Sequence, residues 1–292
     1  MRTSRLRTLV VYLGFALFLI WVLFPLYFTV LSSFMAPSEI GVKPFHWWPE
    51  NPTLANYIAI FTGDSAPFST GQDGGIVSST DAVARLVPAI GRSLLVGVAV
   101  VASNLIIAGA AGYAFSRYEF RGSTVAYLLL LASRVVPAIA VVLPFFVAFR
   151  HLGLLNTSLA LIISYNAFTL PLAIWLLKTY FDSVPRELEE AAKVDGASRL
   201  RCLLMIVTPI ARPGLIAAGL LVFLEAWSEF FYSLVLTNSL TVPPVVAGLQ
   251  NLQQFSWTTL AAATMFTVVP PVLIALAFQR YIVAGLAAGS VK

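Results

Sequence analysis

LVVYLGFALFLIWVLFPLYFTVLSSF, residues 9–34, carries no charged side chain and, from Val10 to Val30, is apolar on every side. A transmembrane β-strand alternates apolar and polar positions over about ten residues, so this stretch does not belong to a barrel. What fits is a helix surrounded by lipid, its backbone groups paired along its own length. The stretch is longer than the roughly 20 residues needed to cross ~30 Å of hydrocarbon. Arg2, Arg5 and Arg7 precede it as in a signal peptide. The apolar run is too long for that, and no clear small-residue cleavage site stands before Pro37, so it reads as a retained anchor.

Working outward, the same pattern recurs at about 87–115, 124–149, 157–180, 210–236 and 260–283. The expected fold is all-α: a polytopic membrane protein of six transmembrane helices, a single transmembrane domain over residues 1–292. Composition agrees. The 292 residues are 59% hydrophobic and 11% charged, whereas an ordinary soluble domain is about a quarter charged. Disorder is excluded by the same numbers, and a disulfide scaffold by a single cysteine, Cys202.

The formal charge of +5 is read by position, not as a sign of nucleic acid. With the N-terminus inside, the inner segments hold Arg2, Arg5, Arg7, Arg117, Arg121, Lys178, Arg186, Lys193, Arg199, Arg201, Arg212, Arg280 and Lys292. The outer side and the spans keep Lys43, Arg85, Arg92, Arg134 and Arg150. This bias places both termini in the cytoplasm. Residues 35–86 then form an extracytoplasmic loop, with Trp47 and Trp48 at headgroup level and a Gly/Ser/Asp-rich middle, 62–80, that reads as a mobile loop. Residues 181–209 form the most charged stretch, on the cytoplasmic side.

Catalytic chemistry is thinly provided. His46 and His151 are far apart and lack Cys or acidic neighbours at metal-ligand spacing, so neither a catalytic set nor a metal site is expected. There is no H-E-x-x-H, no G-x-S-x-G and no G-x-x-x-x-G-K-[ST]. The chain is therefore not expected to be an enzyme, and any ATP used must be hydrolysed by another chain.

The inner loop, DSVPRELEEAAKVDGASRLR at 182–201, describes two short helices at an angle. Asp182 or Ser183 is placed to cap the first, Pro185 suits its opening turn, and Glu187, Glu189 and Glu190 lie near its positive end. Gly196 supplies a left-handed stop, and Ser198 caps a second helix running to about Thr208, before Pro209. Leu188, Ala191 and Ala192, then Leu200, Leu203 and Leu204, give each helix a face to bury. Periodicity alone leaves two readings open: a device that docks a cytoplasmic protein, or an amphipathic loop on the membrane surface.

Glu190-Ala191-Ala192, three residues, Gly196, nine residues, then Ile206-Val207-Thr208-Pro209 resembles the EAA motif of permease subunits in bacterial ABC importers. That family usually has leucine at Thr208 and often a bulky aromatic at Leu200 and Leu203. PENPTLANY at 49–57 looks like the outer-loop signature of carbohydrate-type permeases, and IVAGLAAGSVK at 282–292 is similar to the tail of MalG-like subunits. Relative to shorter relatives, 62–80 looks like an insertion.

The resemblance implies a permease subunit of an ATP-driven sugar or polyol importer in the cytoplasmic (inner) membrane. Its implied partners are a second homologous permease, two ATPase subunits that bind ATP and Mg, and an extracytoplasmic solute-binding protein. It also implies that Glu190, Ala191, Ala192, Asp195, Gly196 and Ala197 couple to the ATPase. The tail, with Gly285, Gly289 and Lys292, would reach the ATPase interface, the alternative being a frayed terminus.

Inside the spans, Glu225 and Glu229 lie four residues apart and Arg134 sits near the middle of the third span. Ionised groups at such depth face protein or an aqueous cavity. Counting depth from the cytoplasmic ends leads to an Arg134–Glu225 pair, with Glu229 nearer the outer mouth and open to a sugar hydroxyl. Tyr232 stands among aromatic neighbours able to stack on sugar rings. Two other readings stay open: a structural charge cluster, and a self-sufficient secondary transporter using Glu225 and Glu229 as a proton relay. Pro137, Pro144, Pro171, Pro243-Pro244 and Pro270-Pro271 predict kinked or broken helices.

Overall fold

The computed structural model describes residues 2–40, 46–62, 85–238, 240–249 and 257–290. Among these the regular elements are all helical. They are α1 (Arg2–Ser33), α2 (Ala55–Thr62), α3 (Leu86–Arg117), α4 (Ser123–Ala132), α5 (Ala138–His151), α6 (Ser158–Asp182), α7 (Arg186–Val194), α8 (Arg199–Ile210), α9 (Arg212–Ser228), α10 (Phe231–Leu236), α11 (Val242–Leu249) and α12 (Trp257–Ser290). The Gly/Ser/Asp-rich stretch from residue 63 onward lies outside the described residues.

Among the described residues four unbroken helices are long and apolar enough to cross a membrane: α1, α3, α6 and α12. Two further crossings are bent. The third expected span is α4 and α5, joined through a 3-10 turn at Ser133–Val135 with a 97° bend. The fifth begins at an 83° bend between α8 and α9. It is not continuous to residue 236 as expected, because Glu229 takes an extended conformation and helix resumes only at Phe231.

Of the prolines expected to break helices, Pro137 coincides with a break, standing at the N-cap of α5. Pro144, Pro171 and Pro270-Pro271 lie inside α5, α6 and α12 without ending them, and Pro243-Pro244 sit in the opening turn of α11. A proline early in a helix removes an N–H that has no intrahelical partner anyway. One deeper in a membrane helix is tolerated when its surroundings satisfy the freed carbonyl.

The chain divides into two compact units. In the first, residues 1–87 with 245–268, Asn56 of α2 is fully buried and acts as a pin. Its Nδ2 donates to the carbonyls of Ser33 (3.0 Å) and Met35 (2.9 Å), and its Oδ1 accepts from the hydroxyls of Thr258 (2.9 Å) and Thr259 (3.3 Å). One amide thus ties the end of α1 to the start of α12. Over the central window of α1 no residue is buried, so its apolar surface is left to lipid or to another chain.

In the second unit, residues 88–244 with 269–292, α6 is the axis. Leu161, Tyr165, Ala173, Leu177 and Phe181 are fully buried along it. Two glycines let neighbouring helices close on its C-terminal half. A Cβ added to Gly112 of α3 would stand 3.1 Å from the backbone nitrogen of Lys178, and one added to Gly214 of α9 would fall on the Tyr180 ring.

Candidate functional site

The foot is built from α7 and α8. Gly196 adopts φ +86° and ends α7, and Ser198 caps α8 by accepting from the Arg201 N–H at 3.3 Å. The first cap differs from expectation. Pro185 takes the N-cap position with no side-chain bond, while Asp182 instead accepts from Ser116 Oγ and Lys178 Nζ, each at 2.6 Å. The second helix also passes Thr208 and Pro209. A π-helical turn at Leu203–Val207 carries it to Ile210.

Glu190, Ala191, Asp195 and Gly196 are exposed, Ala192 and Ala197 half-buried. Leu188, Leu200 and Leu204, read as giving the two helices faces to bury, are exposed on this chain, and Val194 is 88% exposed. The side of α7 turned toward the bundle carries Glu189 instead, with only 2% of its side chain accessible. Glu189 is held by Arg117 Nε (2.5 Å) on one carboxylate oxygen and by Tyr113 Oη (2.5 Å) on the other. Sequence reasoning assigned Glu189 only to the positive end of the helix. An acid alone on the inward stripe, matched by an arginine at the end of a span, was the signal available.

The second cluster lies within the membrane-spanning part of the same unit. Arg134 sits in the 3-10 turn between α4 and α5, and its Nη2 meets Glu225 Oε1 of α9 at 2.8 Å. Beside it is a cavity of about 560 Å³, lined by Arg134, Pro137, Phe145, Phe168, Glu229 and Tyr232 among others. Tyr232 is buried, stacks on Phe168 at 5.6 Å and meets Phe145 edge-on.

Glu225 and Glu229 do not share a continuous helix face. Glu229 follows the end of α9, turns to the free N–H groups of α10, and accepts from Tyr232 N (3.0 Å) and Ser233 N (3.2 Å). The first N–H groups of a helix have no intrahelical acceptor, and a carboxylate is a strong one. The structure therefore brings Arg134 and Glu225 together and lets Glu229 and Tyr232 line the adjoining space.

The tail is helical through Ser290, so the backbone at Gly285 and Gly289 continues α12; Lys292 lies outside the described residues. Among the described residues no group of three His, Cys, Asp or Glu has metal-binding geometry.

A helical membrane bundle with bent crossings around an ion-paired cavity, and with a two-helix foot, is the architecture of a transport component. The chain belongs to the family described as binding-protein-dependent transport system inner membrane component, which it matches over residues 103–287. It is 33% identical to the trehalose/maltose transport system permease protein MalG of Thermococcus litoralis, over 100% of this chain and 99% of that one. It is 31% identical to the sulfoquinovosyl glycerol transport system permease protein SmoH of Agrobacterium fabrum, over 92% and 89%. With the trehalose transport system permease protein SugB of Mycobacterium tuberculosis it shares 35% identity over 90% of each. In fold it resembles a chain of a bacterial ABC transporter involved in import of the acidic polysaccharide alginate, with a TM-score of 0.75 and 22% identity over 96% of this chain and 98% of that one.

Proposed function

We propose that this chain is one of two permease subunits of an ATP-driven ABC importer for a sugar or related polyol, forming half of the translocation pathway. Separate ATPase subunits, two in number, bind ATP and Mg and drive alternating access as a rigid-body rocking of the bundle. An extracytoplasmic binding protein delivers the substrate. The complex resides in a bacterial cytoplasmic membrane, with both termini and the 181–209 loop inside. Glu190, Ala191, Ala192, Asp195, Gly196 and Ala197 meet the ATPase, and the tail with Gly285, Gly289 and Lys292 lies at the ATPase interface.

The observation that carries this reading is the foot: Leu188, Val194 and Leu200 stand exposed on two well-terminated helices, an apolar surface suited to a protein groove. Family membership supports the transport role, and the names of relatives that carry trehalose, maltose and sulfoquinovosyl glycerol support the sugar class. The aromatic cavity lined by Arg134, Glu229 and Tyr232, with Glu225 ion-paired to Arg134, supports a place for those residues beside the substrate path. A proton relay is less well supported, since Glu225 is held by a guanidinium and Glu229 by backbone N–H groups.

Deleting 186–200 tests the reading: the deleted chain should insert but retrieve no ATPase in a pull-down. ATPase still retrieved in full would overturn the docking assignment.

A further inference from the structure

The foot is attached to the bundle covalently at two places. At one end residues 183–185 join α6 to α7, and at the other Ala211 joins α8 to α9 at an 83° bend. Two attachment points leave rotation about the line joining them. A push applied to the foot would be spent on that rotation unless a third point, off the line, removed it.

The cytoplasmic end of α3 supplies such a point. Arg117 donates Nε to Glu189 at 2.5 Å, Nη2 to the Val184 carbonyl at 2.9 Å and Nη1 to Ser116 Oγ at 3.1 Å. Arg186 returns a bond to the Ser116 carbonyl at 3.1 Å. The second foot helix is held by the same segment, with the Arg199 guanidinium 4.9 Å from the centroid of the Tyr118 ring. Arg117 and Glu189 side chains are 7% and 2% accessible.

The ends of the foot helices are set locally by Gly196 and Ser198, not by this pair. A buried ion pair is also a poor source of net stability, because desolvating both charges offsets most of their attraction. Its value lies in geometry: a planar guanidinium with three fixed acceptors defines position and angle at once.

The geometry points to Arg117 and Glu189 as positioning residues that latch the foot to α3, so that α3, α6 and the foot move as one body when the ATPase closes. This rests on the proposed ATPase coupling. The assembled complex, reconstituted in proteoliposomes, tests it with Glu189→Gln and with spin labels at the exposed Glu119 and Lys193.

With the latch intact, the distance between labels should be the same in nucleotide-free and ATP-bound states. In Glu189→Gln it should broaden, substrate transported per ATP should fall roughly tenfold, and the ATPase should still be retrieved. Unchanged transport with an unbroadened distance in the variant would overturn the latch. So would a label distance that shifts by several ångströms between states in the native latch, a measurement that stands even where the variant fails to assemble. An unmodified complex that retrieves no ATPase would instead overturn the proposed coupling, and the latch would then stand or fall on whether Glu189→Gln broadens the label distance in the chain without nucleotide.

Discussion

Asn56 illustrates how much a single side chain can hold in a protein that is 59% hydrophobic. It satisfies two carbonyls and two hydroxyls with no exposure of its own. Replacing it with alanine removes all four bonds and leaves buried polar groups without partners, at a cost of roughly 2–4 kcal/mol. The expected result is a clear drop in the thermal midpoint of the purified protein; no shift would mean that the pin carries nothing. At Gly214 the cost is steric instead. Any β-carbon there meets the Tyr180 ring, so Gly214→Val should destabilise by about 1–3 kcal/mol by the same measurement. Glu229→Gln probes function. Glutamine keeps an acceptor for the α10 N–H groups but loses the charge beside the cavity, so transport at limiting substrate should fall while assembly is unchanged. Unchanged transport would remove Glu229 from the pathway.

Among the elements, the crossings were legible because twenty-odd apolar residues leave few alternatives, and the foot because Gly196 and Ser198 are local signals with local consequences. The breaks were not. Pro137 stands at a break, as the N-cap of α5, while Pro144, only seven residues on, lies inside that helix; a proline is tolerated within a membrane helix where its surroundings satisfy the freed carbonyl, and that is a tertiary matter. The gap after Ser228 has no proline or glycine to announce it; Glu229 stabilises it by capping α10. The Arg134–Glu225 pair was reachable from depth counting along two spans, whereas the Arg117–Glu189 pair joins a span to a loop helix, where counting along spans gives no depth. The foot's turn also makes a prediction. With φ at +86°, Gly196→Ala places a Cβ in the left-handed region at a cost of about 1–2 kcal/mol, enough to weaken ATPase binding several-fold. Gly196→Asn, which tolerates that conformation better, should lose less. Equal losses for both would mean that backbone strain is not the cause.

For the whole molecule, the question is whether this chain can move solute unaided. The second unit is organised around α6, and the cavity beside Arg134 is walled by the 3-10 turn at Ser133–Val135, α5, α6 and the α9–α10 break. The long apolar helix α1 contributes no buried residue over its central window, so a large part of the chain's membrane surface is left for lipid or a second subunit. Nor do the two membrane acids form an obvious proton path, since one is salt-bridged and the other is committed to a helix terminus. A ligand-driven change needs an energy source that distinguishes the two states, and under the proposed coupling the foot is the element that receives one. The purified chain in proteoliposomes is therefore expected to accumulate no sugar under a proton or sodium gradient. Adding the second permease, the ATPases, the binding protein and ATP should restore uptake. Accumulation by the single chain without nucleotide would overturn the division of labour between gate and motor, and would return Glu225 and Glu229 to consideration as the coupling groups.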